Sequence, residues 1–90
     1  MATHVESVQH SEQLASGHVA ANTRAEMARR KIRQRHIAEY LGMTQQSVSA
    51  RLSGRVAFTV DELAAIARLL GVDPATLLVP ASARGQRSAS

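Results

Sequence analysis

The chain has 90 residues, a formal net charge of +4 and no cysteine. A chain of this length buries only roughly 60% of its unfolded surface, so it supports one small core and no large active-site cavity. The positive charge favours a polyanionic partner, and the lack of cysteine excludes a disulfide framework, a zinc finger and a thiol nucleophile.

Residues 1–16 are mainly polar and predict a flexible N-terminal tail. Thr3 and Glu6 have the spacing of a capping box, so a partly helical segment that packs on the domain or on a second subunit is the alternative. No apolar run approaches the roughly 20 residues that cross a bilayer, and the first twenty residues lack the pattern of a signal peptide. We expect no membrane partner.

The first predicted helix covers about residues 18–30, which are rich in alanine and arginine and contain no glycine or proline. Its Val19 and Met27 can face a core. The second predicted helix covers residues 34–41 and ends at Gly42, which supplies the positive φ of a sharp turn. Its apolar stripe consists of Ile37, Ala38 and Leu41.

The third predicted helix covers residues 45–53 and ends before Gly54. Thr44 is a suitable N-cap for it, and we expect Met43 to be buried in the preceding turn. Helices 2 and 3 together span about twenty residues, which forces them to cross at a steep angle. This arrangement is a helix-turn-helix. The apolar residues that point inward from helix 3 are Val48 and Leu52.

The fourth predicted helix begins at Thr59, because Thr59 and Glu62 form a capping box and Phe58 and Leu63 form a hydrophobic staple. Gly71 closes this helix. Its buried stripe consists of Leu63, Ile66, Ala67 and Leu70.

A short fifth helix begins at the N-cap Asp73, with Pro74 at its first position, and stops at Pro80. Residues 81–90 are small, polar and basic and predict a disordered C-terminal tail. No segment alternates as a β-strand does, so the fold class is all-α and the folded domain covers residues 17–80.

Two adjacent glutamines, Gln45 and Gln46, open helix 3. A glutamine side chain donates and accepts hydrogen bonds side by side, which matches the major-groove edge of adenine. With the apolar residues of helix 3 pointing inward, Gln45 projects from the exposed helix end. The residues on or near the exposed face are Gln46, Ser47 and Ala50.

Residues 34–54, QRHIAEYLGMTQQSVSARLSG, resemble the helix-turn-helix of Cro and repressor proteins of lambda-like temperate phages and of related bacterial regulators. TQQS is a version of the start of that family's recognition helix. The resemblance continues through FTVDELAAIARLLGVDPATLL and covers about residues 18–79. It implies a five-helix, lambda-repressor-like DNA-binding domain. The positions that fall on the family pattern are Gln34, Ala38, Gly42 and Val48.

By that likeness, Gln45 and Gln46 read bases, with Ser47 and Ala50 beside them. The resemblance also implies that Gln34 contacts a phosphate and braces Gln45, and that Ser47 and Ser53 make backbone or minor base contacts. Ala50 stands where a longer polar reader is common, and its methyl group can touch a thymine methyl group but discriminates little between bases.

Arg51 stands where the family usually has an apolar residue, so either helix 3 is slightly rotated or Arg51 reaches a phosphate. The basic cluster around the end of helix 1 and the start of helix 2, which contains Arg24 and Arg29, predicts further phosphate contacts. The predicted DNA-backbone residues are Arg30, Lys31, Arg33, Gln34, Arg35, Ser49, Arg51, Ser53 and Arg55.

Catalysis and metal binding have little support in the sequence. The four histidines lack metal-ligand spacing, and no Ser, His and Asp are placed for a catalytic triad, so we expect no cofactor, no small-molecule substrate and no enzyme. An antitoxin-like or adaptor protein that uses this fold for protein interaction is the alternative. In that reading, the protein-binding surface consists of Leu77, Leu78 and Val79. The same residues equally suit a homodimer seam or the closure of the core by helix 5.

The sequence therefore predicts a transcriptional regulator that binds a double-stranded DNA operator. The nearest type is a Cro-like or short immunity repressor of a temperate phage, which occludes a promoter in the bacterial cytoplasm, associated with the nucleoid through DNA. A homodimer is the family expectation, and a monomer on a half-site stays open. The chain has no room for a self-cleaving C-terminal domain, so induction by self-cleavage is not expected.

Overall fold

The structure is a computed structural model that describes residues 17–80, and the predictions made for residues 1–16 and 81–90 lie outside this range. The described residues form five helices and no strand, which confirms the all-α fold. In chain order these are α1 (residues 17–30 of the described range), α2 (Gln34–Leu41), α3 (Gln45–Leu52), α4 (Val60–Leu70) and α5 (Pro74–Leu78).

The hydrophobic core of the described range receives side chains from all five helices. Ile37, Val48, Ile66 and Leu77, from α2 to α5 in that order, are fully buried at its centre. Leu41 and Met43, predicted to be buried, are only half-buried because they pack against the edge of the core. The other predicted core residues are buried, namely Val19, Met27, Ala38, Leu52, Leu63, Ala67 and Leu70.

The helix ends follow local signals closely. At the start of α4, Thr59 Oγ1 accepts a hydrogen bond from the Glu62 N–H at 3.1 Å, and Glu62 Oε1 accepts one from the Thr59 N–H at 3.0 Å. The predicted capping box is therefore confirmed. Gly42 closes α2 with φ of 68°, the left-handed conformation that glycine adopts without strain. Helix α3 ends at Leu52, one residue earlier than predicted, because Ser53 is its C-cap.

The end of α1 was not predicted in this form. Lys31 has φ of 57°, a left-handed conformation that costs a residue with a Cβ roughly 1–2 kcal/mol. Its N–H donates to the Ala28 carbonyl at 3.3 Å, and the Ile32 N–H donates to the Met27 carbonyl at 2.9 Å. These two bonds form a Schellman motif, in which glycine is the usual left-handed residue. Here a lysine occupies that position.

Helix α5 is held against α1 by side-chain hydrogen bonds. The buried Asn22 amide donates to the carbonyls of Leu77 and Val79 at 2.9 and 2.8 Å, and His18 Nε2 lies 3.2 Å from the Leu78 carbonyl oxygen. Leu77 is completely buried, so it closes the core, whereas Leu78 is 49% exposed. No helix in residues 17–80 has both the length and the apolarity needed to cross a membrane.

Candidate nucleic-acid interface

The connection between α2 and α3 is short and fixed at both ends. After Gly42, the Met43 N–H donates to the Ala38 carbonyl at 2.9 Å. Thr44 then caps α3, because its Oγ1 accepts a hydrogen bond from the Ser47 N–H at 3.1 Å. Val48 is fully buried on the inner side of α3. The first turn of α3 therefore stands at the surface on a firmly packed helix.

The two glutamines of that turn are available for an external partner. Gln45 and Gln46 are exposed, and within residues 17–80 neither side chain makes a hydrogen bond. Ser47 is half-buried, and its Oγ accepts a hydrogen bond from Thr44 Oγ1 at 3.1 Å. Ala50 is also half-buried. The structure thus exposes the two predicted principal readers and partly covers the two minor ones.

A shallow groove between the end of α1, the start of α2 and the later part of α3 brings several predicted backbone-contact residues together. Its apolar floor includes Met27 and Leu52. Gln34 shares no hydrogen bond with Gln45 in the described structure, so the predicted brace between them stays a prediction. The predicted backbone-contact residues that line the groove are Arg33, Gln34, Ser49 and Ser53.

Three of the clustered arginines already have partners in the protein. Glu26 is buried and forms ion pairs with Arg29 and Arg30, at the i,i+3 and i,i+4 spacings that helices favour. The Arg24 guanidinium donates to the Leu52 carbonyl and so satisfies the end of α3. Because the Glu26 carboxylate partly neutralises the Arg30 guanidinium, the attraction of Arg30 for a phosphate is reduced.

The remaining basic side chains of the cluster face solvent. Lys31, Arg33 and Arg35 are exposed, and none of them forms an ion pair with another residue of the described range. At the far end of α3, Arg55 is exposed and its Nε donates to Ser53 Oγ at 3.3 Å. Lys31 and Arg33 lie in the α1–α2 connection, Arg35 lies in the first turn of α2, and Arg55 lies in the α3–α4 connection.

Arg51 has a different environment. Its side chain is only 18% exposed, and its Nε donates to Glu62 Oε1 at 3.0 Å while its Nη1 donates to the Ser47 carbonyl at 3.1 Å. Burial raises the pKa of Glu62, but hydrogen bonds from Thr59 and from Arg51 outweigh this effect and hold the pKa below its usual value. This geometry favours an internal role for Arg51 over the predicted phosphate contact.

Exposed apolar side chains lie in the connection between α3 and α4, at Val56, and at the first residue of α4, Val60. Val60 is 83% exposed and Val56 is 42% exposed. Tyr40 on α2 is also about half exposed. Within residues 17–80, no group of three or more His, Asp or Glu side chains is placed to hold a metal ion.

The comparison with protein families identifies the fold. A family model described as helix-turn-helix matches residues 24–77, which contain all of α2, α3 and α4 and most of α5. Neither a curated protein nor a solved structure matches the chain. The match extends well beyond the two helices of the motif itself and confirms the predicted resemblance. The chain belongs to the Cro/C1-type helix-turn-helix family of DNA-binding regulators.

Proposed function

We propose that this protein is a sequence-specific repressor that inserts the first turn of α3 into the major groove of an operator. One observation carries the proposal: Gln45 and Gln46 are exposed and have no internal hydrogen-bond partner in the described range, on a helix whose opposite face is core. Their carboxamides are free to pair with adenine edges. Ser47 and Ala50 then lie closest to the neighbouring base pairs.

The exposed cations supply affinity for the DNA backbone. The four exposed cations Lys31, Arg33, Arg35 and Arg55 then contact phosphates, because Arg33 lies beside α3 in the shallow groove and Arg55 follows the end of α3. The groove residues Gln34, Ser49 and Ser53 add hydrogen-bonding groups between these positions. Such contacts set the orientation of α3 on the duplex without choosing a sequence.

The type of regulator that fits these base-reading and phosphate-binding residues is a Cro-like or short immunity repressor of a temperate phage. Occluding a promoter needs only tight binding at a chosen site, and a small domain with base readers and phosphate contacts meets that need. We further propose that two copies bind a palindromic operator. The apolar side chains of Val56, in the α3–α4 connection, and of Val60, at the start of α4, would be buried between the copies.

Selection of bound sequences from a random duplex pool tests this function. We expect a recovered site with an adenine-containing element, repeated as an inverted pair about one helical turn apart if the protein binds as a dimer. A single unpaired element indicates a monomer. Recovery of no preferred sequence, together with binding that depends little on salt, would contradict the proposal and favour the antitoxin-like alternative.

Replacing Lys31 with glycine is expected to change stability and DNA affinity in opposite directions. Glycine relieves the left-handed strain at this position and should raise the free energy of unfolding by about 0.5–1 kcal/mol. Loss of the cation should weaken binding to all sequences and reduce the slope of log K against log salt by about 0.9. Denaturant unfolding and salt titrations on cognate and random duplexes measure the two effects.

Two companion variants separate the effect of charge from that of backbone strain. Arg33→Gln should reduce the salt slope as Lys31→Gly does, without raising stability. Arg68→Gln removes an exposed cation from the last turn of α4 and should leave the slope unchanged. If Lys31→Gly leaves the salt slope at the wild-type value, Lys31 does not contact a phosphate.

A further inference from the structure

We propose that Arg51 and Glu62 form a positioning pair that sets the orientation of the recognition helix α3 against α4, and that the choice of DNA sequence depends on this pair. The inference rests on the proposed function, because it assigns a role to side chains that do not touch the bases. It replaces the phosphate contact that the sequence suggested for Arg51.

On the side of α3, the arginine connects directly to the turn that carries the readers. Side chains on a helix point back towards its N-terminus, and the Arg51 guanidinium accordingly lies one turn back, where Nη1 donates to the Ser47 carbonyl at 3.1 Å. Ser47 follows Gln45 and Gln46 in the same turn. The guanidinium is thus attached to the part of α3 that enters the major groove.

On the side of α4, the carboxylate is fixed before it meets the arginine. Glu62 Oε1 accepts the Thr59 N–H at 3.0 Å as part of the capping box, and the same oxygen accepts Arg51 Nε at 3.0 Å. The two side chains are 18% and 17% exposed, so the pair is largely shielded from water and from salt. A restrained carboxylate holds its partner more accurately than a mobile surface carboxylate would.

Direct packing between α3 and α4 is limited, so a side-chain pair between them can influence their relative orientation. Helix α2 packs on both α3 and α4, whereas α3 and α4 approach each other little. Burial of Val48 and Leu52 selects the inward face of α3, whereas a hydrogen-bonded ion pair also depends on the direction of its donor and acceptor. The Arg51–Glu62 pair adds a directional restraint. Base readout needs groups held within roughly 0.5 Å and 10–20°.

The test compares Arg51→Met, Arg51→Lys and a control, Arg68→Met, which changes an exposed arginine of α4. Methionine keeps the apolar stem, while lysine keeps the charge but lacks the planar fork that reaches Glu62 and Ser47 together. The readout is the ratio of Kd for random duplex to Kd for the selected site, at a temperature where circular dichroism shows each variant fully folded.

We expect Arg51→Met to lower this ratio by about tenfold, within the range that one bidentate base contact contributes, and Arg51→Lys to give an intermediate ratio. Arg68→Met should keep the wild-type ratio. If Arg51 instead contacts a phosphate, both Kd values rise equally, the ratio is unchanged and the salt slope falls by about 0.9. That result would overturn the positioning role.

Hydrogen exchange on the free protein checks the same pair without DNA. In Arg51→Met, amides of α3 should exchange several-fold faster than in the wild type, while amides of α2 stay unchanged, because the lost pair joins α3 to α4 and does not involve α2. Unchanged exchange in α3 would count against the pair as a restraint. If the wild type selects a site and Arg51→Met keeps the wild-type ratio of Kd values, only the positioning role is refuted. If the wild type selects no site, the proposed function is refuted and the positioning role with it.

Discussion

Replacing Gln45 or Gln46 with alanine is expected to weaken binding to the selected operator by about 1–3 kcal/mol, roughly 5- to 150-fold. The reason is that each carboxamide is exposed and makes no hydrogen bond within residues 17–80, so its N–H and C=O groups are available to hydrogen-bond a base. Binding to random duplex should change much less, because non-specific affinity comes from the phosphate contacts. Fluorescence anisotropy with both duplexes measures the two losses.

The same variants carry an internal control for folding. No internal hydrogen bond is lost in the described structure, and alanine is a better helix former than glutamine, so the free energy of unfolding should stay within about 0.5 kcal/mol of the wild-type value. An equal loss of affinity on the operator and on random duplex would show that the glutamines do not read bases.

The features that could be predicted from sequence are local ones. The capping box of Thr59 and Glu62 lies within four residues, and Gly42 ends α2 through its own backbone freedom. Apolar stripes at helical spacing likewise identify which face is buried, and α4 shows this most clearly. The exposure of Gln45 and Gln46 follows from the burial of the residues on the other face of the same helix.

The features that could not be predicted depend on contacts between helices. Arg51 and Glu62 lie eleven residues apart on different helices, so their pairing appears only when the fold brings the end of α3 near the start of α4. The buried Asn22 contacts α5 across 55 residues and looks like an ordinary surface residue in the sequence. The left-handed Lys31 gave no signal either, because glycine is the residue that normally indicates such a turn.

Alanine substitutions in α5 distinguish two roles for this helix, closure of the core and contribution to an interaction surface. Leu77→Ala is expected to lower the free energy of unfolding by about 2–5 kcal/mol, because the side chain is completely buried and its removal leaves a cavity. Native domains are stable by only about 5–15 kcal/mol, so this loss is a large fraction of the free energy of unfolding. Urea denaturation followed by circular dichroism measures it.

The neighbouring residue supplies the matched control, since Leu78→Ala makes the same chemical change at a side chain that is 49% exposed. We expect Leu78→Ala to cost less than about 1 kcal/mol, because much of the leucine already contacts water. Similar costs at both positions would contradict the assignment of Leu77 to the core. If Leu78→Ala lowers the dimer fraction at unchanged monomer stability, α5 contributes to the seam between two copies, and the apolar contact at Val56 and Val60 alone is then insufficient to form the dimer.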